Sequence, residues 1–256
     1  MKVHQREKKK AKFRISFVFL FIIASFAACF TFYMKEDFDV SQVFSREEEE
    51  QQNVVSEMIE EADNVTSIIN PVQESERADD TYLSNILFIG NIQMKGLSDY
   101  KIIPSENGYF DDNISLTSIG GAAAPYIRRA QYDAIYIMVG FRDLDTADEM
   151  SDFDGINTLI ESLQNEHTST DIYLVSLLPI AASVENDEIN NVKIDAYNSK
   201  YLQYANSAGV YYLDLNTMFV GNDGKMLETK IESDGVRLNR DAYLEIGEYL
   251  LTHIGK

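Results

Sequence analysis

The sequence predicts an α/β domain, a three-layer α/β/α sandwich around a central, mostly parallel five-stranded sheet, preceded by an N-terminal transmembrane helix. Three observations carry this expectation. From residue 82 onward, short apolar runs alternate with helical patterns, the order that builds a parallel sheet covered by helices. The run Ile86-Leu87-Phe88-Ile89 ends in Gly90 and a polar loop, as a buried parallel strand does when it delivers its C-terminal end to a site. Finally, Ile15 to Met34 are 20 consecutive residues without a charge, and as a helix they would span about 30 Å, the thickness of a bilayer core.

Taken in order, residues 1–14 form a basic tail. Lys2, Arg6, Lys8, Lys9, Lys10, Lys12 and Arg14 stand against one acid, Glu7, so this flank should stay in the cytoplasm while the remainder is exported. The expectation is a single-pass protein of the cell membrane, held by a signal anchor at 15–34 with its main domain extracytoplasmic. A cleaved signal peptide is the rival, but its apolar region usually runs only about 7–15 residues. Phe26-Ala27-Ala28-Cys29 faintly resembles a lipoprotein processing site, although Phe30-Thr31-Phe32-Tyr33 continues the apolar run past it.

Residues 35–81 read as an acidic linker with a helical stalk. Ser45 followed by Glu48 has the form of a capping box. Val54, Val55, Met58, Ile59, Ala62, Val65 and Ile69 recur at helical spacing until Asn70-Pro71 stops them. That stripe suits either a single amphipathic helix or a self-pairing coiled coil. The domain proper is expected over 82–256, with strands at 85–90, 113–118, 133–139, 171–178 and 210–215 and helices at 121–130, 154–166, 187–208 and 240–254. Gly209 reads as a C-terminal helix cap, and Asn222-Asp223-Gly224 as a turn rather than a calcium loop.

Composition narrows the function. A net charge of −20 argues against nucleic acid, which needs a basic face. The single cysteine, Cys29, excludes an internal disulfide and a cysteine-based metal centre, and no cofactor is expected. Histidines are scarce: His4, His167 and His253.

Three loops then stand in a telling order: Gly90-Asn91-Ile92-Gln93, Gly140-Phe141-Arg142-Asp143-Leu144, and Ser233-Asp234-Gly235-Val236-Arg237-Leu238 before the last helix. Together with Asp171-Ile172-Tyr173-Leu174-Val175-Ser176-Leu177-Leu178-Pro179 and Gly209-Val210-Tyr211-Tyr212-Leu213-Asp214, they resemble the SGNH (GDSL-type) hydrolases over roughly residues 82–254. The likeness is to bacterial, often membrane-anchored members, and implies a flavodoxin-like sheet order and ester or acetyl hydrolysis. In that family a serine attacks an acyl carbon, a histidine takes its proton, an aspartate orients the histidine, and backbone N–H groups with an asparagine hold the oxyanion. The resemblance places Asn91 at the aspartate of the Gly-Asp-Ser loop, Ile92 at the nucleophile, Gly120 at the oxyanion glycine, Arg142 at the oxyanion asparagine, Asp234 at the retained aspartate and Arg237 at the histidine.

The chemistry departs from the likeness. Ile92 has no lone pair, and Arg237 stays protonated, so neither nucleophile nor general base remains. Losing either alone costs on the order of 10⁶ in turnover in a well-studied serine protease. The expectation is a pseudoenzyme of the esterase class that binds or scaffolds at the cell envelope. An active acetyl hydrolase with non-standard residues is the alternative. Asn91, Gln93, Gly120, Arg142 and Arg237 are the candidate ligand-binding residues. Arg142 and Arg237 either pair with Asp143 and Asp234 and plug the cleft, or leave one guanidinium free for an anion. The partners this suggests are an anionic or acylated envelope glycan and, by family analogy, a membrane acyltransferase.

Overall fold

The computed structural model describes residues 68–145 and 153–255. The span expected at 15–34 and nearly all of the stalk lie outside these residues; among the described ones, no helix is long and apolar enough to cross a membrane. Five strands form one sheet: β1 (Ile86–Gly90), β2 (Gly108–Phe110), β3 (Ala134–Ile137), β4 (Asp171–Val175) and β5 (Tyr211–Leu213). Their order is β2-β1-β3-β4-β5 and every pairing is parallel. Among the described residues four helices connect them, α1 (Ile92–Asp99), α2 (Ile119–Ile127), α3 (Asp154–Glu166) and α4 (Asn191–Ala208), and a fifth, α5 (Arg240–Thr252), follows β5.

β1 and β3 are buried along their whole length because both faces of the sheet are covered. On one face, Met94 and Leu97 of α1 and Ile246 and Leu250 of α5 meet Phe88, Tyr136 and Val175. On the other, Phe153 stacks against Tyr201 and Tyr204 of α4, with ring centroids 5.9 and 5.1 Å apart. Gln164 of α3 donates to the Ala208 carbonyl at the end of α4. The chain reverses its winding between β1 and β3, and in such sheets the crevice beyond the strand tips at that point is the place for a ligand.

Two expectations are corrected. The strand predicted at 113–118 is instead a run of turns leading into α2, and the strand paired with β1 is the three-residue Gly108–Phe110. Ile114 and Leu116 alternate with polar residues because they anchor those turns in the core, not because they lie in a strand. Side chains take the backbone donors there: Asp111 Oδ1 accepts from Asn113 N and Ser115 Oγ from Ser118 N. The second correction is α1, absent from the sequence reading. Gly96 in its middle lowers helix propensity, yet a side chain there has no room: a Cβ would stand 1.9 Å from the Tyr243 ring of α5. α4 begins at Asn191, later than predicted, because Asn190 caps it through Lys193 N and the preceding residues turn on Asn186. Gly209 ends it at φ 64° as a C-terminal cap.

The stretch from Asn70 to Ala78, read as the end of the linker, is bound to the sheet edge. Val72 N donates to Tyr212 O at 2.9 Å and Tyr212 N donates to Asn70 Oδ1 at 2.6 Å, while Ser75 N and Ala78 N donate to the Thr252 and Leu251 carbonyls at the end of α5.

Gly96→Ala should overpack the α1–α5 contact and cost about 1–3 kcal/mol, read as a lower urea midpoint with an unchanged slope.

Candidate functional site

The cleft lies where the switch point predicts it. About 210 Å³ in volume, it is lined by Asn91 and Ile92 after β1, Asp112 after β2, Phe141 and Arg142 after β3, and by Ile180, Val184, Asn186, Ile189 and Val236 from two further loops. Most of these walls are apolar. Of the sequence-predicted residues, the structure brings Asn91, Ile92 and Arg142 together here.

Asn91 caps α1. Its Oδ1 accepts from Gln93 N at 2.9 Å and Met94 N at 3.4 Å, leaving Nδ2 buried without a partner. Ile92 follows as the first helical residue, its side chain half-buried in the cleft wall. Its backbone N–H, the one that would face an oxyanion in an acyl-transfer site, donates to Asp112 Oδ1 at 2.7 Å. A carboxylate of the chain itself therefore occupies the donor.

The turn after β3 separates Arg142 from Asp143. Gly140 adopts φ 133°, and a Cβ there would meet the Tyr197 ring at 2.1 Å, so the close turn requires glycine. Asp143 turns inward and accepts from Leu116 N at 3.1 Å; burial pushes its carboxyl upward, and that N–H opposes the shift. Arg142 turns outward, donating Nε to the Asp112 carbonyl at 3.0 Å and Nη2 to Asn113 Oδ1 at 2.9 Å. The expected Arg142–Asp143 fork is thus replaced by an arginine bound to two neutral acceptors. Among the described residues it makes no ion pair, and it pins the loop carrying Asp112.

Arg237 does pair with Asp234, as one of the two sequence readings has it. Asp234 Oδ1 accepts from Val236 N and Arg237 N, and Oδ2 from Arg237 Nε. The hydrogen bond raises the guanidinium above its ordinary value, so it stays charged. Arg237 is exposed and does not line the cleft; Val236 does.

Gln93 and Gly120 are displaced from the expected role. Gln93 is fully buried: Oε1 accepts from Leu178 N at 3.3 Å, and Nε2 lies 3.3–3.4 Å from the Leu178, Pro179 and Val236 carbonyls. It joins the loops behind the cleft and presents nothing to a ligand. Gly120 sits at the start of α2 and lines a separate depression with Leu159 and His167. His253 stacks on Tyr249 at 3.6 Å in the last turn of the chain. Among the described residues, no serine, cysteine or histidine lines the cleft.

Asp112 is the residue that sequence reasoning missed. Its signal was present: Asp111-Asp112-Asn113 is a polar triplet after the aromatic Tyr109-Phe110. Taking 113–118 for a strand put this loop on the wrong side of the sheet tip.

The family model of the GDSL-like lipases/acylhydrolases matches residues 105–243, a span that begins after β1 and α1 and so leaves Ile92 outside it. Among solved structures, similar folds include a provisionally assigned platelet activating factor from Streptococcus pneumonia, at 17% identity and TM-score 0.55, covering 82% of this chain and 95% of that one. A GDSL-like lipase from Bacteroides thetaiotaomicron matches at 19% identity and TM-score 0.52, covering 64% and 84%. A provisionally assigned acylhydrolase from Bacteroides fragilis matches at 17% and 0.52, covering 68% and 87%. These are likenesses of fold. No curated protein matches this sequence.

Two outcomes are expected. Gln93→Ala leaves Leu178 N and the Val236 carbonyl buried without their partner and should lower stability by about 2 kcal/mol or more, measured by urea unfolding. For Asp234, burial raises the carboxyl, but the Arg237 hydrogen bond and two backbone N–H groups outweigh it and hold it below the usual range. A depressed folded value stabilises above the unfolded value of about 4 and is lost as pH falls through the folded one. The stability gap between wild type and Asp234→Asn should therefore be present at pH 6 and shrink as pH drops below about 4.

Proposed function

Since this chain belongs to the GDSL-like lipase/acylhydrolase family, we propose that it keeps the family cleft as a binding site and has lost hydrolysis, acting at the extracytoplasmic face of the cell membrane to which residues 15–34 anchor it. The observation that carries this reading is the contact between Ile92 and Asp112. The side chain at the attacking position is a hydrocarbon, and the adjacent N–H already holds a carboxylate oxygen. An oxyanion would have to displace Asp112 and then sit beside its charge, which removes the electrostatic stabilisation that acyl transfer most depends on.

Other features support the same reading. Arg237 is tied to Asp234 and remains charged, so no base stands at the family histidine position. Arg142 spends its fork on the neighbouring loop rather than on a carboxylate, and its charge remains available at the rim. The ligand we propose is an anionic or acylated component of the envelope. A link to a membrane acyltransferase rests on the family alone. The basic N-terminal tail and the uncharged run after it support the membrane topology.

Full-length protein in lipid nanodiscs, assayed with p-nitrophenyl acetate, should show no turnover above empty nanodiscs, and Ile92→Ser alone should not create any. Turnover that survives purification and falls in Arg142→Ala would instead establish an esterase with unusual residues.

A further inference from the structure

The two edges of the sheet differ. The strap from Asn70 to Ala78 covers β5, whereas β2, at the opposite edge, bonds only to β1 among the described residues. Ile89 O faces β3, where it accepts from Met138 N at 2.9 Å, so β1 meets β2 through Phe88 and Gly90. Asp111 N accordingly donates to Gly90 O at 2.9 Å. Alternation along the strand then directs the backbone of Tyr109 to β1 and turns the N–H and C=O of Gly108 and Phe110 away from the sheet. These residues are half-buried. Beside them the Tyr109 and Tyr126 rings lie 4.5 Å apart, and the Arg129 guanidinium covers Tyr126 at 4.0 Å. Tyrosine and arginine at a rim are the composition from which protein interfaces draw most of their energy.

We propose that the β2 edge is the docking surface for a second copy of this chain, paired antiparallel to the first about a two-fold axis through Tyr109. Three features make the edge complementary to itself. In this register Gly108 stands opposite Phe110 of the second copy, and the two exchange both N–H···O bonds, so every outward backbone group of β2 is used; other registers leave some unpaired. Shape agrees with the register. The Phe110 ring lies so close over its own Gly108 that a Cβ there would stand 2.1 Å from it, and an aromatic residue facing a glycine is the cross-strand pair that fills the gap a glycine leaves. Charge agrees as well. α2 joins two parallel strands and so ends at the level of the strand starts, which puts Arg128 and Arg129 at one end of the edge and Asp111 and Asp112 at the other. None of the four makes an ion pair among the described residues. An antiparallel two-fold brings the basic end of each copy to the acidic end of the other, and Glu106 at the basic end offsets only one of the two arginines. A strand of three residues gives an arbitrary extended chain little to hold, so the matched side chains and charges select the partner.

The test is oxidative cross-linking of the full-length protein in lipid vesicles, with Cys29→Ser removing the one native thiol. Tyr109→Cys should form a disulfide-linked dimer, because the axis sets residue 109 opposite itself at about 4.5 Å between Cα atoms, within disulfide reach. Ser105→Cys lies on the same edge, but the axis separates it from its mate by roughly 27 Å at ~3.4 Å per residue, and it should cross-link at least tenfold more slowly. Arg128→Glu with Arg129→Glu, added to Tyr109→Cys, should slow the reaction at least tenfold. Equal rates at 105 and 109, or a rate that ignores the arginine changes, would overturn the proposal. Sedimentation equilibrium of the full-length chain in detergent, with Tyr109 intact, gives a second reading. The monomer–dimer midpoint should move at least tenfold to higher concentration in the Arg128→Glu/Arg129→Glu variant; a wild type that stays monomeric, or a dimer indifferent to both changes, would overturn the proposal too.

Discussion

The carboxamide of Gln93 holds together three parts of the chain that are far apart in sequence. It stands one residue into the cleft wall from Ile92, fully buried, and its two polar atoms serve the backbone of Leu178, Pro179 and Val236. Its own carbonyl accepts from Tyr243 Oη of α5 at 2.7 Å. A buried amide is costly unless satisfied, and one satisfied by several segments at once fixes their separation. The tips of β1 and β4 and the loop before α5 therefore meet at one spacing, and the cleft in front of them inherits its shape from a residue that never faces it.

The polar groups around the cleft form one consistent set of contacts. Ile92 presents a hydrocarbon, its own N–H is occupied by Asp112, Arg237 is neutralised by Asp234, and Arg142 after β3 supports the loop that carries Asp112. Each contact is compatible with the others. Arg142 holds the Asp112 segment in place, and Asp112 in turn satisfies the end of α1 with a negative charge where the helix dipole favours one.

Much of the fold was legible from the chain. The apolar runs at β1, β3 and β4, the boundaries of α3, and the glycine at the end of α4 are local signals that tertiary packing did not override. The strand beside β1 was not legible. Three residues, Gly108–Phe110, give too little periodicity to see, while Ile114 and Leu116 imitate a strand from within turns. α1 was hidden because Gly96 serves a contact with Tyr243, more than a hundred residues away, that no local pattern encodes. In the site, loop positions were readable but side-chain directions were not. Arg142 and Asp143 are neighbours in sequence that the Gly140 turn sends to opposite sides.

The strap from Asn70 to Ala78 also bears on what happens at the border of the domain. Val72 and Asn70 satisfy the outer rim of β5, which would otherwise offer unpaired backbone groups to any passing chain. Proteolytic shedding upstream of Asn70 would liberate a module with that rim still sealed. Trimming past it would strip the seal and yield a self-adhesive fragment, so the safe place to cut the chain on this side ends at the first residue of the strap.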